Sequence, residues 1–287
     1  MHILVFGAKG QLGSELVPRI NAGGHTCIPM TRQEVDLTDP GAIQARIQEV
    51  SPDWVVNCAA YTAVDRAESD SDLAWQVNNQ AVQAMAQACA QIGSALAQVS
   101  TDFVFSGGQS RPYAEDDPTE PLSVYGRSKL RGELLAREAC SQVLILRTSW
   151  LFGAYGSNFV KTMLRLMQER ESLQVVDDQI GSPTWAGDLA WALMSLMDQR
   201  IFGVLHMANE GVASWYDLAL CVLEEAGDAG WSLQTQRVEP IPTTAYPTPA
   251  ARPRFSVLSK QKIRPLLPEP IAHWRPRVRR VVKECRA

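Results

Sequence analysis

The first half of the chain alternates short apolar runs with longer segments that favour helix. His2 to Gly7 is an almost continuous apolar run, which is typical of a strand buried on both faces of a parallel sheet. Similar runs predict strands over residues 25–30, 54–58, 94–100 and 143–147, and the intervening segments predict helices over 11–20, 41–50, 73–91 and 125–140. This alternation predicts an α/β fold with a doubly wound parallel sheet and right-handed crossovers.

Three prolines bear on the ends of these elements. Asp39 is a suitable N-cap for the second predicted helix, and Pro40 suits its first position. Because Pro29 has no N–H to donate, we expect it at the end of its strand or at an exposed position. Pro18 is the one residue that disagrees with the first predicted helix.

The pattern changes after Trp150, where the elements become irregular. A proline-rich stretch between residues 240 and 253 predicts a long ordered loop. We therefore expect a nucleotide-binding domain over residues 1–149. Residues 150–287 are expected to form mainly a smaller C-terminal, substrate-binding lobe, with segments that return to the first domain.

Composition narrows the class of protein. Of the 287 residues, 46% are hydrophobic and 20% are charged, as is usual for a soluble globular protein. A net charge of −4 gives no electrostatic reason to expect nucleic acid or an anionic membrane as a partner. The basic run from Arg275 to Lys283 is typical of the solvated face of a terminal helix.

The cysteines and histidines are scattered along the chain. Six cysteines without a C-x-x-C pair predict reduced thiols in an intracellular protein, and four dispersed histidines show no metal-ligand spacing. No apolar run approaches the ~18 residues of a membrane span, and no signal peptide precedes the first strand. These features predict a cytoplasmic protein.

A glycine-rich turn follows the first predicted strand and opens the first predicted helix. Its spacing is Gly7-x-x-Gly10-x-x-Gly13, with Gln11 and Leu12 between the last two glycines. Glycines at such a turn let the backbone approach a pyrophosphate, which the helix N-terminus then binds. In this strand–turn–helix context we expect a Rossmann-type nucleotide site rather than a purely structural turn.

The end of the second predicted strand bears on the choice of cofactor. An acidic residue there would bind a ribose 2′-hydroxyl and favour NAD, but this chain has Thr31-Arg32. Because Arg32 can pair with a 2′-phosphate, NADPH is favoured over NADH. Asp36, Leu37 and the segment Ala60-Tyr61-Thr62 follow strand-like runs and are candidate cofactor contacts, although ordinary loop residues would look the same.

Tyr125 and Lys129 lie four residues apart, on one face of the fourth predicted helix. Reduction of a ketone requires a hydride on carbon and a proton on oxygen, and the Tyr125 phenol can supply that proton. The Lys129 cation would stabilise the phenolate and could bind the nicotinamide ribose. Thr101, at the end of an apolar strand, offers a hydroxyl to the same carbonyl. Taken alone, Thr101-Asp102 would be a turn and Tyr125–Lys129 a solvated pair.

Six segments in order resemble the extended short-chain dehydrogenase/reductases and, within them, the dTDP-4-dehydrorhamnose reductase branch. The resemblance spans nearly the whole chain. The segments are Gly7-x-x-Gly10-Gln11-Leu12-Gly13, Asn57-Cys-Ala-Ala-Tyr-Thr-Ala-Val-Asp65, Ser100-Thr-Asp-Phe-Val-Phe105, Tyr125-Gly-Arg-Ser-Lys129, Arg147-Thr-Ser-Trp-Leu-Phe-Gly153 and Asp178-Gln-Ile-Gly-Ser-Pro-Thr184.

The resemblance implies an activity and roles for residues. The activity is NAD(P)H-dependent reduction of the 4-keto group of dTDP-6-deoxy-L-lyxo-4-hexulose to dTDP-L-rhamnose, the last step of dTDP-rhamnose biosynthesis. By motif position Tyr125, Lys129 and Thr101 would be catalytic, and Thr101, Asp102 and Trp150 would contact the sugar. The same positions imply that the cofactor is lined by Gly10, Gln11, Leu12, Asp36, Leu37, Ala60, Tyr61 and Thr62.

Some relatives bind Mg²⁺ through acidic residues at a dimer contact. Asp188 and Glu284 are the candidates for such a contact here, but no acidic cluster is visible around them, so metal and homodimer stay open.

Two other functions stay open as well. An epimerase or dehydratase of the same superfamily would use the same Tyr and Lys, although Asp102 is followed by Phe103 where dehydratases commonly need an acid. A non-catalytic NADP-binding regulatory subunit is the third candidate, against which intact Thr101, Tyr125 and Lys129 weigh.

Overall fold

The computed structural model describes residues 1–286 and has twelve strands and ten α-helices over that range. The strands are β1 (His2–Phe6), β2 (Thr26–Met30), β3 (Trp54–Asn57), β4 (Ala95–Thr101), β5 (Val143–Thr148), β6 (Leu151–Phe152), β7 (Ser172–Val176), β8 (Ile180–Gly181), β9 (Thr184–Trp185), β10 (Gly203–His206), β11 (Ala213–Ser214) and β12 (Arg237–Ile241). The helices are α1 (Gln11–Ala22), α2 (Pro40–Val50), α3 (Val64–Ala67), α4 (Ser71–Trp75), α5 (Ala81–Ile92), α6 (Val124–Ala139), α7 (Phe159–Glu169), α8 (Ala186–Asp198), α9 (Trp215–Asp228) and α10 (Trp274–Glu284).

Six strands form a central parallel sheet in the order β10-β5-β4-β3-β1-β2. The strand order reverses between β1 and β3, since β2 lies on one side of β1 and all later strands lie on the other. In open α/β sheets, ligands bind outside the carboxyl ends of the strands at such a switch point. The predicted doubly wound parallel fold is confirmed.

Local signals located the ends of most elements well. The Asp39 side chain accepts a hydrogen bond from the Ala42 amide at 3.0 Å and caps α2, whose first residue is Pro40. Pro29 is exposed in β2, the edge strand, where a missing N–H leaves no central ladder bond unpaired. Pro18 lies inside α1, which continues through it to Ala22.

The predicted helix over 73–91 contains an irregular turn. Helical backbone runs from α4 to α5, but residues Gln76–Gln80 between them form a π-helix. Asn78, in the middle of this turn, is 1% exposed. A π-turn inside a helix often marks a functional position, and this one lies beside the candidate site.

Two apolar layers cover the sheet. Leu16 and Ile20 of α1 pack with α8 residues on one face, and Ile43 and Ile47 of α2 pack with α5 residues on the other; all four side chains are fully buried. Burying a side chain of this size contributes ~1.5–3 kcal/mol relative to exposure. Successive side chains of each strand therefore pack alternately into the two separate apolar cores.

The second half of the chain contributes to the sheet and also builds a core of its own. Strand β10 pairs with β5, and α8 packs on α1. A third apolar cluster joins α7, α9 and α10 with β7 and β12. The division into a domain over 1–149 and a lobe over 150–287 stays a prediction.

The basic run lies on α10, which packs against α9. Arg275 and Arg279 pair with Glu224 and Glu225 of α9 at 2.6 and 2.8 Å, so these guanidiniums help to attach the terminal helix. All six cysteine thiols are free. Within residues 1–286, no helix has both the length and the apolar character that a membrane crossing requires.

Candidate active site

The turn between β1 and α1 is built for glycine. Gly7 has a φ of +76°, and a Cβ atom there would lie 2.7 Å from the Ala59 amide nitrogen. A Cβ atom at Gly13 would lie 2.7 Å from the Ala8 Cα. Both collisions are with backbone. Glycine at position 7 therefore lets this turn lie against the loop after β3, and glycine at position 13 lets the start of α1 lie against the turn itself.

The N-terminus of α1 is available to an anion. Gly10 is its N-cap and carries no side chain to satisfy the first amides of the helix. The Gln11 side chain instead contacts a later loop, donating to the Ser157 carbonyl at 3.2 Å and accepting from Asn158 at 3.1 Å. Leu12 is 3% exposed and packs in the core, so only its backbone can contact a cofactor.

A cavity of about 200 Å³ lies at the switch point, at the carboxyl ends of β1, β2 and β3. Six of the residues predicted to bind the cofactor line it, whereas Thr62 lies outside its lining. These six are Gly7, Arg32, Asp36, Leu37, Ala60 and Tyr61. The glycine turn and this cavity together fit a dinucleotide, with the phosphates at the helix N-terminus.

Arg32 stands at the mouth of this cavity. Its side chain is 79% exposed, and its guanidinium lies 4.0 Å from the Asp36 carboxylate. Hydrogen bonds from the Thr38 amide and hydroxyl lower the pKa of Asp36 and hold this carboxylate in place. Arg32 is therefore free to turn toward a phosphate at the cavity mouth, as its predicted role requires.

Asn78 supports the loop after β3, and the sequence pattern did not single it out. Its side-chain oxygen accepts from the Tyr61 amide at 2.9 Å, and its side-chain nitrogen donates to the Tyr61 carbonyl and to Ser128 Oγ. A Cβ atom at Gly132 would collide with the Asn78 carbonyl, so α6 packs closely on the π-turn. The only sign in the sequence that position 78 has a special role was an asparagine, a poor helix former, within an Ala- and Gln-rich helix.

Helix α6 positions Tyr125 near its N-terminus. Ser123 caps the helix by accepting from the Gly126 amide at 3.1 Å. A Cβ atom at Gly126 would collide with the Phe103 carbonyl, which explains the glycine between Tyr125 and Lys129. Tyr125 is 8% exposed, and the Phe103 ring meets it edge-on with centroids 5.5 Å apart. The phenol is thus held against the segment after β4.

Thr101 and Asp102 lie at the carboxyl end of β4, beside this phenol. Thr101 Oγ1 lies 3.1 Å from Asp102 Oδ1, to which it can donate, and it accepts from the Phe103 amide at 3.2 Å. Asp102 is 1% exposed, and burial raises the pKa of its carboxyl to about 6, against hydrogen bonds from Ser256 and Thr101. In the free protein the Thr101 hydroxyl is therefore directed toward a buried acceptor.

Burial governs the titration of the two predicted acid–base residues. It raises the pKa of Tyr125 to about 12, while a hydrogen bond with Thr101 lowers that pKa. It also lowers the pKa of Lys129 to about 8, against the attraction of Glu133. Lys129 Nζ donates to the Val99 carbonyl at 2.7 Å. The phenol is therefore protonated near neutral pH, and stabilisation of its phenolate by Lys129 stays a prediction.

A buried ion pair lies one turn below Lys129. The Glu133 carboxylate accepts from Arg147 Nε at 3.0 Å and from its terminal nitrogen at 2.7 Å. Both side chains are at most 5% exposed. This pair joins α6 to the end of β5 and so fixes the helix that carries Tyr125 and Lys129.

Trp150 follows β5, two residues after Thr148, which is in register with Thr101. One face of its indole is covered, because it stacks on Trp215 with centroids 3.5 Å apart. Trp215 was not singled out in the sequence, since the Trp sits in an ordinary amphipathic helix. The predicted contact of Trp150 with a sugar stays a prediction.

A second, larger cavity of about 620 Å³ lies in the second half of the chain. Aromatic residues line it together with two arginines, none of which the sequence pattern indicated. These are Phe159, Trp215, Tyr246, Arg170 and Arg252. Arg252 also forms a 2.7 Å ion pair with Asp65, which fastens the proline-rich stretch to the first half of the chain.

The two candidate metal ligands are engaged elsewhere. Asp188 pairs with Arg277 at 2.7 Å, and Glu284 pairs with Arg280 at 2.7 Å. Over residues 1–286 no group of three or more His, Cys, Asp or Glu side chains is placed to hold a metal ion. The structure thus gives no support for Mg²⁺.

Comparisons with known proteins identify the family of this chain. The sequence matches the family described as the RmlD substrate binding domain over residues 1–287. It is 43% identical to the dTDP-4-dehydrorhamnose reductase of Burkholderia thailandensis over 286 residues, 96% of each chain. The solved dTDP-4-dehydrorhamnose reductase of Clostridium acetobutylicum superposes with a TM-score of 0.94 at 35% identity, covering 100% of both chains.

A second solved structure includes a nucleotide. The dTDP-4-dehydrorhamnose reductase of Bacillus anthracis, in complex with NADP, has a TM-score of 0.92 and 35% identity, covering 98% of each chain. The matches extend over nearly the full length of this chain and of these relatives. The chain therefore belongs to the dTDP-4-dehydrorhamnose reductase family of the extended short-chain dehydrogenases/reductases.

Proposed function

We propose that this protein reduces the 4-keto group of dTDP-6-deoxy-L-lyxo-4-hexulose to dTDP-L-rhamnose, with NADPH, in the last step of dTDP-rhamnose biosynthesis. This proposal rests on a buried, protonated Tyr125 that lies beside Thr101 at the carboxyl edge of the sheet. Next to it lies the proposed dinucleotide cradle, which consists of the glycine turn at residues 7–13 and the cavity of about 200 Å³. Membership of the family supports the choice of substrate.

The chain's own residues deliver the proton half of the reduction. When bound, NADPH supplies the hydride. Tyr125, with a pKa raised to about 12, keeps its proton until a developing alkoxide takes it. Thr101 turns its hydroxyl from Asp102 to the same oxygen and orients the carbonyl. As Tyr125 becomes a phenolate, the cationic form of Lys129 offsets the new charge inside a site of low dielectric.

NADPH is proposed to lie across the switch point. Its pyrophosphate would bind the amides at the start of α1, since Gly7, Gly10 and Gly13 leave room for backbone approach. The adenosine would enter the cavity beside Tyr61, with Arg32 at the 2′-phosphate. A guanidinium at this point favours NADPH over NADH.

The larger cavity is proposed to hold the dTDP part of the substrate. Phe159 and Tyr246 offer aromatic surface to a thymine base, and Arg170 and Arg252 supply positive charge for a diphosphate. This places the sugar between the cavity and Tyr125. A homodimer and a cytoplasmic location stay predictions.

The direct test mixes purified protein, NADPH and enzymatically prepared dTDP-4-keto-6-deoxyhexose. Loss of the NADPH absorbance and formation of dTDP-L-rhamnose are the expected result. dTDP-glucose is the matched control, since a dehydratase would consume it and the proposed reductase would not. Folded protein that oxidises no NADPH with the keto sugar would overturn the proposal.

A further inference from the structure

Trp150 and Trp215 form a closed aromatic stack beside the predicted sugar site. Their ring centroids lie 3.5 Å apart, and the planes are inclined by 4°. This separation is direct face-to-face contact. A third ring between them would require about twice the 3.5–4 Å of a carbon contact. A sugar and Trp215 therefore cannot occupy this face of Trp150 together.

The other face of Trp150 is covered by Gly181. A Cβ atom at Gly181 would lie 2.5 Å from Trp150 Cε2, 2.7 Å from Nε1 and 2.8 Å from Cζ2. Three bonded ring atoms at such similar distances mean that Gly181 approaches the ring from above its face. Both faces of the Trp150 indole are thus in contact with protein.

Trp150 is the fixed partner of the stack. Its φ of +48° is in the left-handed region, which a bulky residue adopts only when its surroundings enforce it. The Thr184 amide donates to the Trp150 carbonyl at 3.2 Å. With Gly181 against one face, the indole of Trp150 has little freedom to turn.

Trp215 is the partner that can move. It is half-buried at the first residue of α9 and borders the cavity of about 620 Å³. One hydrogen bond from its Nε1 to Gln179 at 3.2 Å and a tilted contact with Phe159 hold it in place. Rotation of the Trp215 side chain about its own bonds would uncover this face of Trp150 without moving the backbone.

We propose that Trp215 is a positioning residue that caps Trp150. It covers one face of the Trp150 indole in the free protein and moves away when the deoxysugar binds to that face. The inference rests on the proposed function, because it takes a nucleotide-linked 6-deoxyhexose as the incoming ligand. The apolar face of such a sugar suits an indole, as the Trp215 ring does. The Trp215 cap keeps the Trp150 indole oriented before the sugar binds. Because the sugar must displace Trp215, the apparent affinity for the sugar is lower than it would be without the cap.

Circular dichroism of coupled tryptophans tests the cap directly. The free protein should show an exciton band that Trp150→Phe and Trp215→Phe each remove and Trp231→Phe, outside the stack, leaves unchanged. Saturation with dTDP-L-rhamnose and NADP⁺ should abolish the band, whereas dTDP with NADP⁺ should leave it, because dTDP has no sugar to replace Trp215. A free protein without the band would overturn the cap.

Binding affinity gives a second readout that a merely structural role would not move. Loss of a ring pair corresponds to about 2- to 10-fold in affinity, so Trp215→Leu should tighten dTDP-L-rhamnose by that factor and leave dTDP unchanged. Trp215→Phe, which preserves the contact with Phe159, should fall between. Weaker binding of dTDP-L-rhamnose to both variants would overturn the proposal that Trp215 is a displaceable cap. It would show instead that Trp215 stabilises the bound ligand.

Calorimetry separates failure of the cap from failure of the proposed function. If dTDP-L-rhamnose binds the NADP⁺-loaded protein and the exciton band persists, the cap is wrong and the reductase proposal stands. If no binding occurs to folded protein, both proposals are wrong.

Discussion

The cofactor cradle and the sugar side of the site are built in opposite ways. The cradle is a contiguous turn in which Gly7 and Gly13 let backbone meet backbone. The predicted sugar side is assembled from three segments that are distant in sequence, through the side chains of Trp150 and Trp215 and the backbone of Gly181. A site made of backbone is encoded by a short motif and is rigid. A site made of stacked side chains depends on the whole fold and can rearrange.

The proposed catalytic residues differ from the cradle in their electrostatics. Arg32 and Asp36 at the cradle are exposed to solvent, so their charges are screened. Tyr125, Lys129 and Asp102 are all at most 8% exposed, and burial shifts the pKa of each. The shape of the cradle therefore determines cofactor binding, whereas the proposed catalytic centre of Asp102, Tyr125 and Lys129 depends on pKa values that burial has shifted.

The largest expected effect comes from the proton donor. Tyr125→Phe should lower turnover by ~10² or more and leave NADPH binding within about twofold, because the phenol serves the reaction and not the cradle. Steady-state rates and fluorescence titration with NADPH measure the two quantities. Near-normal turnover would remove Tyr125 as the acid.

The two glycines with crowded neighbours provide a matched pair. Gly7→Ala forces a Cβ atom at positive φ into the Ala59 backbone, so NADPH affinity should fall by ~10-fold or more. Gly181→Ala meets only the Trp150 side chain and leaves the turn between β1 and α1 untouched. Its NADPH affinity should stay normal while KM for the sugar nucleotide rises ~3- to 10-fold.

The melting temperature of each glycine variant is the control for this pair. Both variants should stay folded at the assay temperature. If Gly181→Ala loses NADPH affinity as strongly as Gly7→Ala, the two regions are not independent and the comparison between them is wrong.

The pH dependence should report the buried centre and not the cradle. Lys129 is cationic below its pKa of about 8, so kcat/KM should fall above that pH by ~10-fold per unit. Asp102 is ionised above its pKa of about 6, so kcat/KM should also fall below that pH. Lys129→Arg should remove the alkaline limb, and Asp102→Asn the acid limb. If a limb of the pH profile of kcat/KM persists in the corresponding variant, another group is responsible for that limb.

The smallest expected effect is at the exposed edge of the cradle. Arg32→Ala should weaken NADPH ~3- to 10-fold and leave NADH nearly unchanged, since only NADPH carries the 2′-phosphate. The difference should shrink at high salt because the contact is solvent-exposed. Equal losses for the two cofactors would contradict the assigned role of Arg32.

Sequence patterns predicted the fold wherever the signals were local. The strands from β1 to β5 and the helices α1, α2 and α6 lie within two residues of their predicted ends. The π-turn around Asn78 was missed because its cause is tertiary: Asn78 must reach Tyr61 and Ser128, which belong to other segments. Pairing of β10 with β5 was missed for the same reason, since nothing near Gly203 indicates its partner.

The candidate site shows the same division. The glycine turn, Thr101, Tyr125 and Lys129 were singled out because each has a chemical role that residue type and spacing express. Trp215 and Arg252 were not, because an aromatic residue in an ordinary helix and a basic residue in an irregular region have no distinguishing spacing. Burial, which raises the pKa of Tyr125, depends on tertiary contacts that no residue pattern expresses.

The sequence by itself determined the parallel fold, the dinucleotide turn and the residues able to deliver a proton. These depend on the φ angle of a glycine, on hydrophobic runs and on side-chain chemistry, which are local properties. Only the tertiary structure decided the burial that keeps Tyr125 protonated and the stack that covers both faces of Trp150. Burial and stacking depend on which distant segments meet, and residues 150, 181 and 215 come together only after the chain has folded.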